Sequence, residues 1–193
     1  MITYYHIIDS RKKVSRLQDK CMRSLTERLG GNAHKTVVVD YSEDVFTTIS
    51  RVDTAKLTIA AEDGSACFVD IDCFVSKPLH ELDISKPGPW MAKYEYNFAM
   101  ECPDICYFYV NNCREWFAKN LPVSIITPKQ YSVKPDVLKN LDGFNTIPEM
   151  SYFHFYNSMS SVDGAVTARA LRKHLSVLKS GIDSLQKTFE MVG

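Results

Sequence analysis

The sequence has no excess of charge of either sign, since 23 Lys and Arg balance 23 Asp and Glu over its 193 residues. This balance does not indicate nucleic acid or an anionic membrane surface as the main partner. No apolar run reaches the ~18 residues that a membrane-spanning helix needs, and the N-terminus lacks the charged and apolar regions of a secretory signal. We therefore expect a cytoplasmic protein without a membrane span.

Paired cysteine motifs, internal repeats and low-complexity tracts are also missing. The six cysteines form no Cys-x-x-Cys pair, and several lie in apolar runs, so we expect buried, reduced thiols. Cys102, Cys106 and Cys113 have no recognised zinc-ligand spacing, and the sequence does not favour a zinc site. Hydrophobic residues make up 45% and charged residues 24% of the chain, as is typical of a globular domain.

The most informative stretch is residues 66–79, A-C-F-V-D-I-D-C-F-V-S-K-P-L, where only Asp70 and Asp72 interrupt the apolar run that precedes Ser76. A short run rich in β-branched and aromatic residues predicts a strand buried on both faces. Residues two apart on a strand share a face, so both carboxylates would project to the same side. Like charges in apolar surroundings need a proton or a cation between them. We therefore expect a Mg²⁺ or Mn²⁺ site where the strand end opens into a cleft.

Predicted strands and helices alternate along the first part of the chain. They are a strand at 2–8, a helix at 14–29, a strand at 36–39, a helix at 45–61 and the run at 66–79. Strands at 90–94 and 105–110, a helix at 115–120, an irregular connector at 121–148 and an aromatic segment at 151–158 follow. This order predicts an α/β fold with a mainly parallel central sheet flanked by helices. In such sheets, ligands bind beyond the carboxyl ends of the strands.

The end of the sequence carries a long helical pattern. Apolar residues at 166–192 recur at alternating threes and fours, a period of ~3.5 residues that suits a helix seam. We expect a domain at 1–162 and a C-terminal helix at 163–193. This helix would pack on the domain, which we favour, or mediate a homodimer.

Several segments in order resemble the sugar-nucleotide glycosyltransferases with a DXD motif. These are D-T-A-K at 53–56, Gly64-Ser65, F-V-D-I-D-C-F-V-S-K-P-L, and H-F-Y-N-S-M from His154. The group includes capsular and mannosyl transferases and the catalytic domains of the large clostridial glucosylating toxins. Lys56 stands where that family has Arg, and Met159 stands where it has Trp.

The resemblance implies a GT-A fold and a Mn²⁺- or Mg²⁺-dependent transfer of sugar from a UDP- or GDP-sugar to an unknown acceptor, with retention. Asp72 would ligate the metal, Asp70 would bind the ribose or the metal through water, and His154 would complete the coordination. The remaining implied donor contacts are Tyr5 and His6 to the base, Asp53 and Lys56 to the hydroxyls of the transferred sugar, and Ser158. Asn111 or Asn112 would contact the sugar or the acceptor.

The residues themselves also allow non-catalytic interpretations, which stay open. These are a histidine packed among aromatic residues at 154, a solvated i,i+3 ion pair at 53 and 56, ordinary first-strand residues at 5 and 6, and a turn at 111 and 112.

We considered three other functions, of which one is a module without strong catalytic activity and two are enzyme classes that fit the motif spacing less well. A catalytically weak or inactive sugar-nucleotide-binding or interaction module would keep the same fold. A haloacid-dehalogenase-type phosphatase carries its Asp-x-Asp on the first strand, whereas two predicted strands precede Asp70 here. A polymerase-β-type nucleotidyltransferase needs its Gly-Ser well before the carboxylates, and Gly64-Ser65 lies too close.

Overall fold

The computed structural model describes residues 1–10, 14–63, 65–96, 100–122, 126 and 141–155. Our predictions for Ser158, for the helix at 166–192 and for the boundary at 162 lie outside these residues, as does Gly64. Among the described residues, no helix combines the length and the apolar character needed to cross a bilayer.

The described chain alternates strands and helices much as the pattern predicted. In order, the elements are β1 (Thr3–Asp9), α1 (Arg16–Thr26), β2 (Ala33–Val39), α2 (Val45–Glu62), β3 (Ser65–Val69), β4 (Cys73–Val75), β5 (Trp90–Tyr96), β6 (Met100–Asn111), α3 (Arg114–Asn120), β7 (Asn145–Thr146) and β8 (Tyr152–His154). Short 3₁₀ helices at Leu79–Glu81 and Glu149–Ser151 precede β5 and β8.

The strands of the described residues form two sheets. The large sheet has six strands in the order β2-β1-β3-β6-β5-β7, and the small sheet pairs β4 with β8. In the large sheet β1 runs parallel to β2 and β3, β7 runs parallel to β5, and β6 alone runs against its neighbours. The prediction of an α/β fold with a mainly parallel sheet is therefore confirmed.

Helices cover both faces of the large sheet. Along β3, Cys67 packs in a core cluster with Leu25 of α1 and Val75 of β4. Its neighbour Phe68 points to the opposite face and packs with Leu57 of α2 and with α3. This alternation is the pattern expected of a strand buried on both faces. It places α1 and the small sheet on one side, and α2 and α3 on the other.

Helix α1 begins where its sequence can satisfy the free backbone N–H groups. The Ser15 hydroxyl accepts from the Gln18 N–H at 3.2 Å, and the Gln18 side chain accepts from the Ser15 N–H at 3.1 Å. This reciprocal pair is a capping box. Cys21 and Leu25 then lie buried on the face that meets the small sheet.

One prediction about the run at 66–79 is wrong, because this run does not form a single strand. Strand β3 ends at Val69, residues 70–72 turn, and β4 begins at Cys73 in the other sheet. The Asp70 N–H still bonds to the Cys106 carbonyl at 2.7 Å, and the Cys73 N–H then closes a turn onto the Asp70 carbonyl at 2.9 Å. Both strands are buried, so their apolar sequence is continuous even though the chain changes sheet between them.

Candidate metal centre

The link between β3 and β4 meets the end of β8 at the candidate site. Asp70 directly follows β3 and Asp72 directly precedes β4, while His154 is the last residue of β8. Pairing of β4 with β8 sets Cys73 opposite His154, and the Phe155 N–H donates to the Asp72 carbonyl at 2.9 Å. The small sheet therefore places the His154 imidazole beside the carboxylates of Asp70 and Asp72. Asp72, the nearer of the two in sequence, is 82 residues away from His154.

The three side chains converge on one point. His154 Nε2 lies 3.2 Å from Asp72 Oδ1 and 3.9 Å from Asp70 Oδ2. One ligand atom from each residue lies within 4.8 Å of the other two. Asp72 and His154 are 8% and 12% exposed, and Asp70 is 26% exposed. Asp70 is thus the member most accessible to a bound molecule.

Lys56 of α2 reaches the same cluster from the other side of the sheet. Its ammonium forms an ion pair with Asp70 Oδ1, lies 3.4 Å from Asp53 Oδ1 and donates to the Ile105 carbonyl at 3.3 Å. The Lys56 side chain is only 3% exposed. The i,i+3 pair of Asp53 and Lys56 is therefore buried, and the interpretation of a solvated surface pair is wrong.

The electrostatics of the site favour a bound cation. Burial raises the pKa of the Asp70 carboxyl and the Asp72 charge adds to this shift, while the Lys56 and His154 charges oppose it. Asp53, Asp70 and Asp72 bring three carboxylates close to the Lys56 ammonium and the His154 imidazole. A divalent cation beside Asp70 and Asp72 would stabilise the charged forms of these two carboxylates.

The donor atoms fit such an ion. Two carboxylates and one imidazole are available from Asp70, Asp72 and His154. Carboxylates suit Mg²⁺ and Mn²⁺, and imidazole is a common ligand of transition metals. The residues present therefore fit a divalent metal.

Tyr5 and His6 are not brought to this cluster. Tyr5 stacks on Phe68, and its hydroxyl donates to Asp63 Oδ2 at 2.8 Å, before the start of β3, whereas Asp70 follows the end of that strand. Burial and this hydrogen bond raise the pKa of Tyr5 to about 12. The His6 ring is fully buried, with Nδ1 2.8 Å from His34 Nε2. Both residues lie in the middle of β1, as the alternative interpretation of ordinary first-strand residues predicted.

Asn111 and Asn112 lie at the opposite edge of the sheet. Because β6 runs against β3, Asn111 pairs with Ser65 at the start of β3, far along the strand from Asp70. Asn112 has a φ of 52°, the left-handed conformation that Asn tolerates in turns. Both residues are exposed, so the structure places them at the end of β6 and in the turn that follows it, away from the cluster.

The sequence did carry a signal for residues that we did not single out. The pairing of β1 with β2 sets Asp9 opposite Val39, at the carboxyl ends of both strands. Ser10 follows, with its N–H bonded to the Val39 carbonyl at 2.8 Å. Ligands bind beyond the carboxyl ends of parallel strands. On β1 this rule predicts Asp9 and Ser10 as candidate site residues, and not Tyr5 or His6.

Two solved structures share this fold. The chain is similar to a glycosyltransferase involved in the glycosylation of the major capsid of PBCV-1, with a TM-score of 0.60 at 10% identity over 88% of this chain and 99% of that one. It is also similar to the glycosyltransferase GlyE of Streptococcus pneumoniae TIGR4, with a TM-score of 0.55 at 14% identity over 96% of this chain and 53% of that one. The chain thus spans about half the length of GlyE. No protein-family model and no curated protein matches the sequence. At these identities the likeness shows a fold that glycosyltransferases use.

Proposed function

We propose that this protein is a metal-dependent glycosyltransferase that transfers a sugar from a nucleoside-diphosphate donor to an acceptor. The observation that carries the proposal is the convergence of two carboxylates and an imidazole, from Asp70, Asp72 and His154, beyond the carboxyl end of β3. The similarity of the fold to two solved glycosyltransferases supports it.

In this proposal Asp72 and His154 hold the ion, and Asp70 offers Oδ2 to the ion or to the ribose of the donor. Asp72 and His154 are the less exposed pair and lie 3.2 Å apart, so their geometry is fixed by the small sheet. A bound Mn²⁺ would supply Lewis-acid stabilisation of the diphosphate leaving group. The chain's own part is to hold carboxylates and imidazole at one point.

The finer parts of the proposal rest on the resemblance of residues 53–79 and of the segment from His154 to DXD glycosyltransferases. They are a UDP- or GDP-sugar donor, transfer with retention, and a C-terminal helix at 163–193 that packs on the catalytic domain or forms a homodimer. The anomeric configuration of the transferred product, determined by proton NMR, tests retention.

A donor-hydrolysis screen tests the activity. We expect one UDP- or GDP-sugar of a panel to release its nucleoside diphosphate in the presence of Mn²⁺, and EDTA to stop the release. Asp72→Asn keeps the side-chain volume and removes the negative charge, so it should lower the rate by at least ~100-fold, the scale of losing a transition-state contact of a few kcal/mol.

Asp19→Asn is the matched control, because the Asp19 side chain is 53% exposed in a surface ion pair with Arg23. It should hydrolyse the donor at the rate of the wild type. Equal rates for wild type and Asp72→Asn would refute the proposed site. Binding of the nucleotide with Mn²⁺ but without hydrolysis would instead favour the sugar-nucleotide-binding module.

A further inference from the structure

Lys56 has a buried position that its sequence spacing did not reveal, and its contacts assign it a role of its own. We infer that Lys56 is a positioning residue that holds the Asp70 carboxylate in place, and that it does not contact the transferred sugar. The inference rests on the proposed function of the metal centre.

The donors of the ammonium group account for this role. A lysine ammonium has three N–H bonds and no acceptor. Three protein oxygens lie around Lys56 Nζ, namely Asp70 Oδ1, Asp53 Oδ1 at 3.4 Å and the Ile105 carbonyl at 3.3 Å. The ammonium thus has as many protein oxygens nearby as it has N–H bonds, and a sugar hydroxyl would have to compete with them where the Lys56 side chain is 3% exposed.

The two oxygens of Asp70 are consequently given different tasks. Oδ1 pairs with Lys56 on one side, while Oδ2 lies 3.9 Å from His154 Nε2 on the other. Fixing one oxygen fixes the rotation of the carboxylate, so the second oxygen stays aimed at the candidate metal position. A held carboxylate binds a cation with less loss of side-chain entropy than a free one.

The backbone around Asp70 strengthens the hold of Lys56 on the Asp70 carboxylate, which we call the clamp. The Asp70 N–H donates to the Cys106 carbonyl at 2.7 Å, and Lys56 donates to the carbonyl of the preceding residue, Ile105. Helix α2, strand β6 and the turn after β3 are therefore tied together at one place. The Lys56 side chain extends from α2 to the turn at Asp70, and its buried ammonium is stabilised by the oxygens that it meets at this place.

Asp53 makes a charge-balanced test available. It pairs with Lys56, does not belong to the group of Asp70, Asp72 and His154, and is itself buried. The double variant Asp53→Asn/Lys56→Met removes one negative and one positive charge, so the net charge of the cluster stays the same while the clamp on Asp70 is lost. A change in ion affinity then reports positioning and not charge.

The probe is Mn²⁺ alone, whose free concentration is measured by electron paramagnetic resonance during titration of the protein. We expect Asp53→Asn/Lys56→Met to bind Mn²⁺ at least ~10-fold more weakly, the lower end of the effect of outer-shell partners of metal ligands. Lys119→Met, at an exposed lysine of α3, should bind Mn²⁺ like the wild type. Unchanged Mn²⁺ affinity in a double variant with wild-type circular dichroism would overturn the inference.

A comparison of nucleotide ligands distinguishes positioning from sugar contact. With saturating Mn²⁺, the ratio of the affinities for UDP and UDP-glucose should be the same in Asp53→Asn/Lys56→Met and in Asp53→Asn alone, a comparison in which only residue 56 differs. Selective loss of UDP-glucose affinity would overturn the inference, because it would show a contact to the sugar.

A metal-free measurement separates this inference from the proposed function. In a double-mutant cycle of Lys56→Met and Asp70→Asn, measured by urea unfolding in EDTA, we expect the two substitutions together to destabilise less than the sum of their separate effects. Additive effects would overturn the clamp. Absence of Mn²⁺ binding by the wild type, together with coupling in this cycle, would refute the proposed metal centre and leave the clamp itself supported.

Discussion

His6 shows at the scale of one residue how this fold holds a titratable group neutral. Its ring is fully buried in β1, and its Nδ1 lies 2.8 Å from His34 Nε2. Burial first, and the neighbouring His34 second, lower the pKa of His6 to about 3. Burial also lowers the pKa of His34, so neither imidazole of the pair gains a proton easily in the folded protein.

The stability of the protein should therefore fall on acidification. An unfolded histidine takes up its proton below its ordinary pKa of ~6.5, whereas folded His6 stays neutral down to about 3. The contribution is fully present above pH ~6.5 and is lost as the pH falls below it, with a slope of up to ~1.4 kcal/mol per pH unit. Urea unfolding at a series of pH values from neutral to mildly acidic measures this slope.

His6→Asn provides the comparison, since its amide keeps a polar atom near the position of Nδ1 and cannot be charged. The variant should be less stable at neutral pH, because the shorter side chain leaves a cavity, but its stability should fall less steeply with acid. Identical slopes for the variant and the wild type would show that His6 does not titrate as its burial implies.

Part of the site could be predicted residue by residue. The chemistry of Asp70 and Asp72 in an apolar run, and the resemblance around His154, named the three side chains that the structure brings together. Lys56 was placed beside Asp53 by spacing, but an i,i+3 pair has the same spacing whether it is exposed or buried. Its contact with Asp70 depends on how α2 packs on the sheet, and no local pattern encodes that.

At the scale of elements, α1 supports the small sheet that carries the site. The Ser24 hydroxyl accepts from the buried Val75 N–H of β4 at 3.0 Å and donates to the Cys21 carbonyl at 2.6 Å. Cys21 itself packs against Phe153 and Phe155 at the end of β8. The helix thus positions both strands of the small sheet.

Ser24→Ala should weaken both the fold and the ion site. It leaves the Val75 N–H without its acceptor, which costs ~1–3 kcal/mol for a buried donor. Because β4 follows Asp72 directly, a displaced β4 should also reduce Mn²⁺ affinity. Urea unfolding and Mn²⁺ titration of the same preparation measure the two effects.

Ser15→Ala tests whether this effect is local. It removes the cap of the same helix at ~1 kcal/mol, yet Ser15 lies at the end of α1 away from Ser24. The variant should lose stability and keep the Mn²⁺ affinity of the wild type. If both serine variants lost affinity equally, the loss would follow general destabilisation and not the contact with β4.

The bounds of the helices and strands were predictable where periodicity was clear, and the change of sheet after Val69 was not. Hydrophobicity indicates burial, and the residues of β3 and β4 are mostly buried in the core. The partner of β4 is β8, a segment far along the chain, so the pairing is set by tertiary structure. A continuous apolar run cannot by itself show that a turn divides it.

For the whole molecule, the alternation of strands and helices was sufficient to predict the fold class. It was sufficient because parallel strands need helical crossovers, and the short connections of β1, α1, β2, α2 and β3 leave few topologies. The two core clusters on either side of the sheet then follow from strands that are apolar on both faces. The site lies at an edge of this arrangement, where the large and small sheets meet.

Binding of Mn²⁺ should stabilise the entire fold, since the ligands come from two elements that meet only in the folded state. A ligand at 100 times its dissociation constant adds ~2.7 kcal/mol to the free energy of unfolding. We expect differential scanning calorimetry to show a higher Tm with Mn²⁺, and a smaller increase with Mg²⁺.

Asp72→Asn should abolish most of this increase, and Asp19→Asn should retain it. A rise in Tm of the same size in Asp72→Asn would indicate that Mn²⁺ acts elsewhere on the surface. In that case the cluster at the end of β8 would not be the main divalent-ion site.

The turn at 70–72 joins two sheets that depend on different contacts. Within the part of the chain that the structure describes, the large sheet has six strands, whereas the small one has two short strands that pack on α1. A purified sample in which β4 and β8 have separated from α1 would keep most of its far-ultraviolet spectrum and yet be unable to bind the ion. A native far-ultraviolet spectrum and the ability to bind the ion are therefore separate properties of this protein. The NMR resonance of the His154 ring distinguishes them.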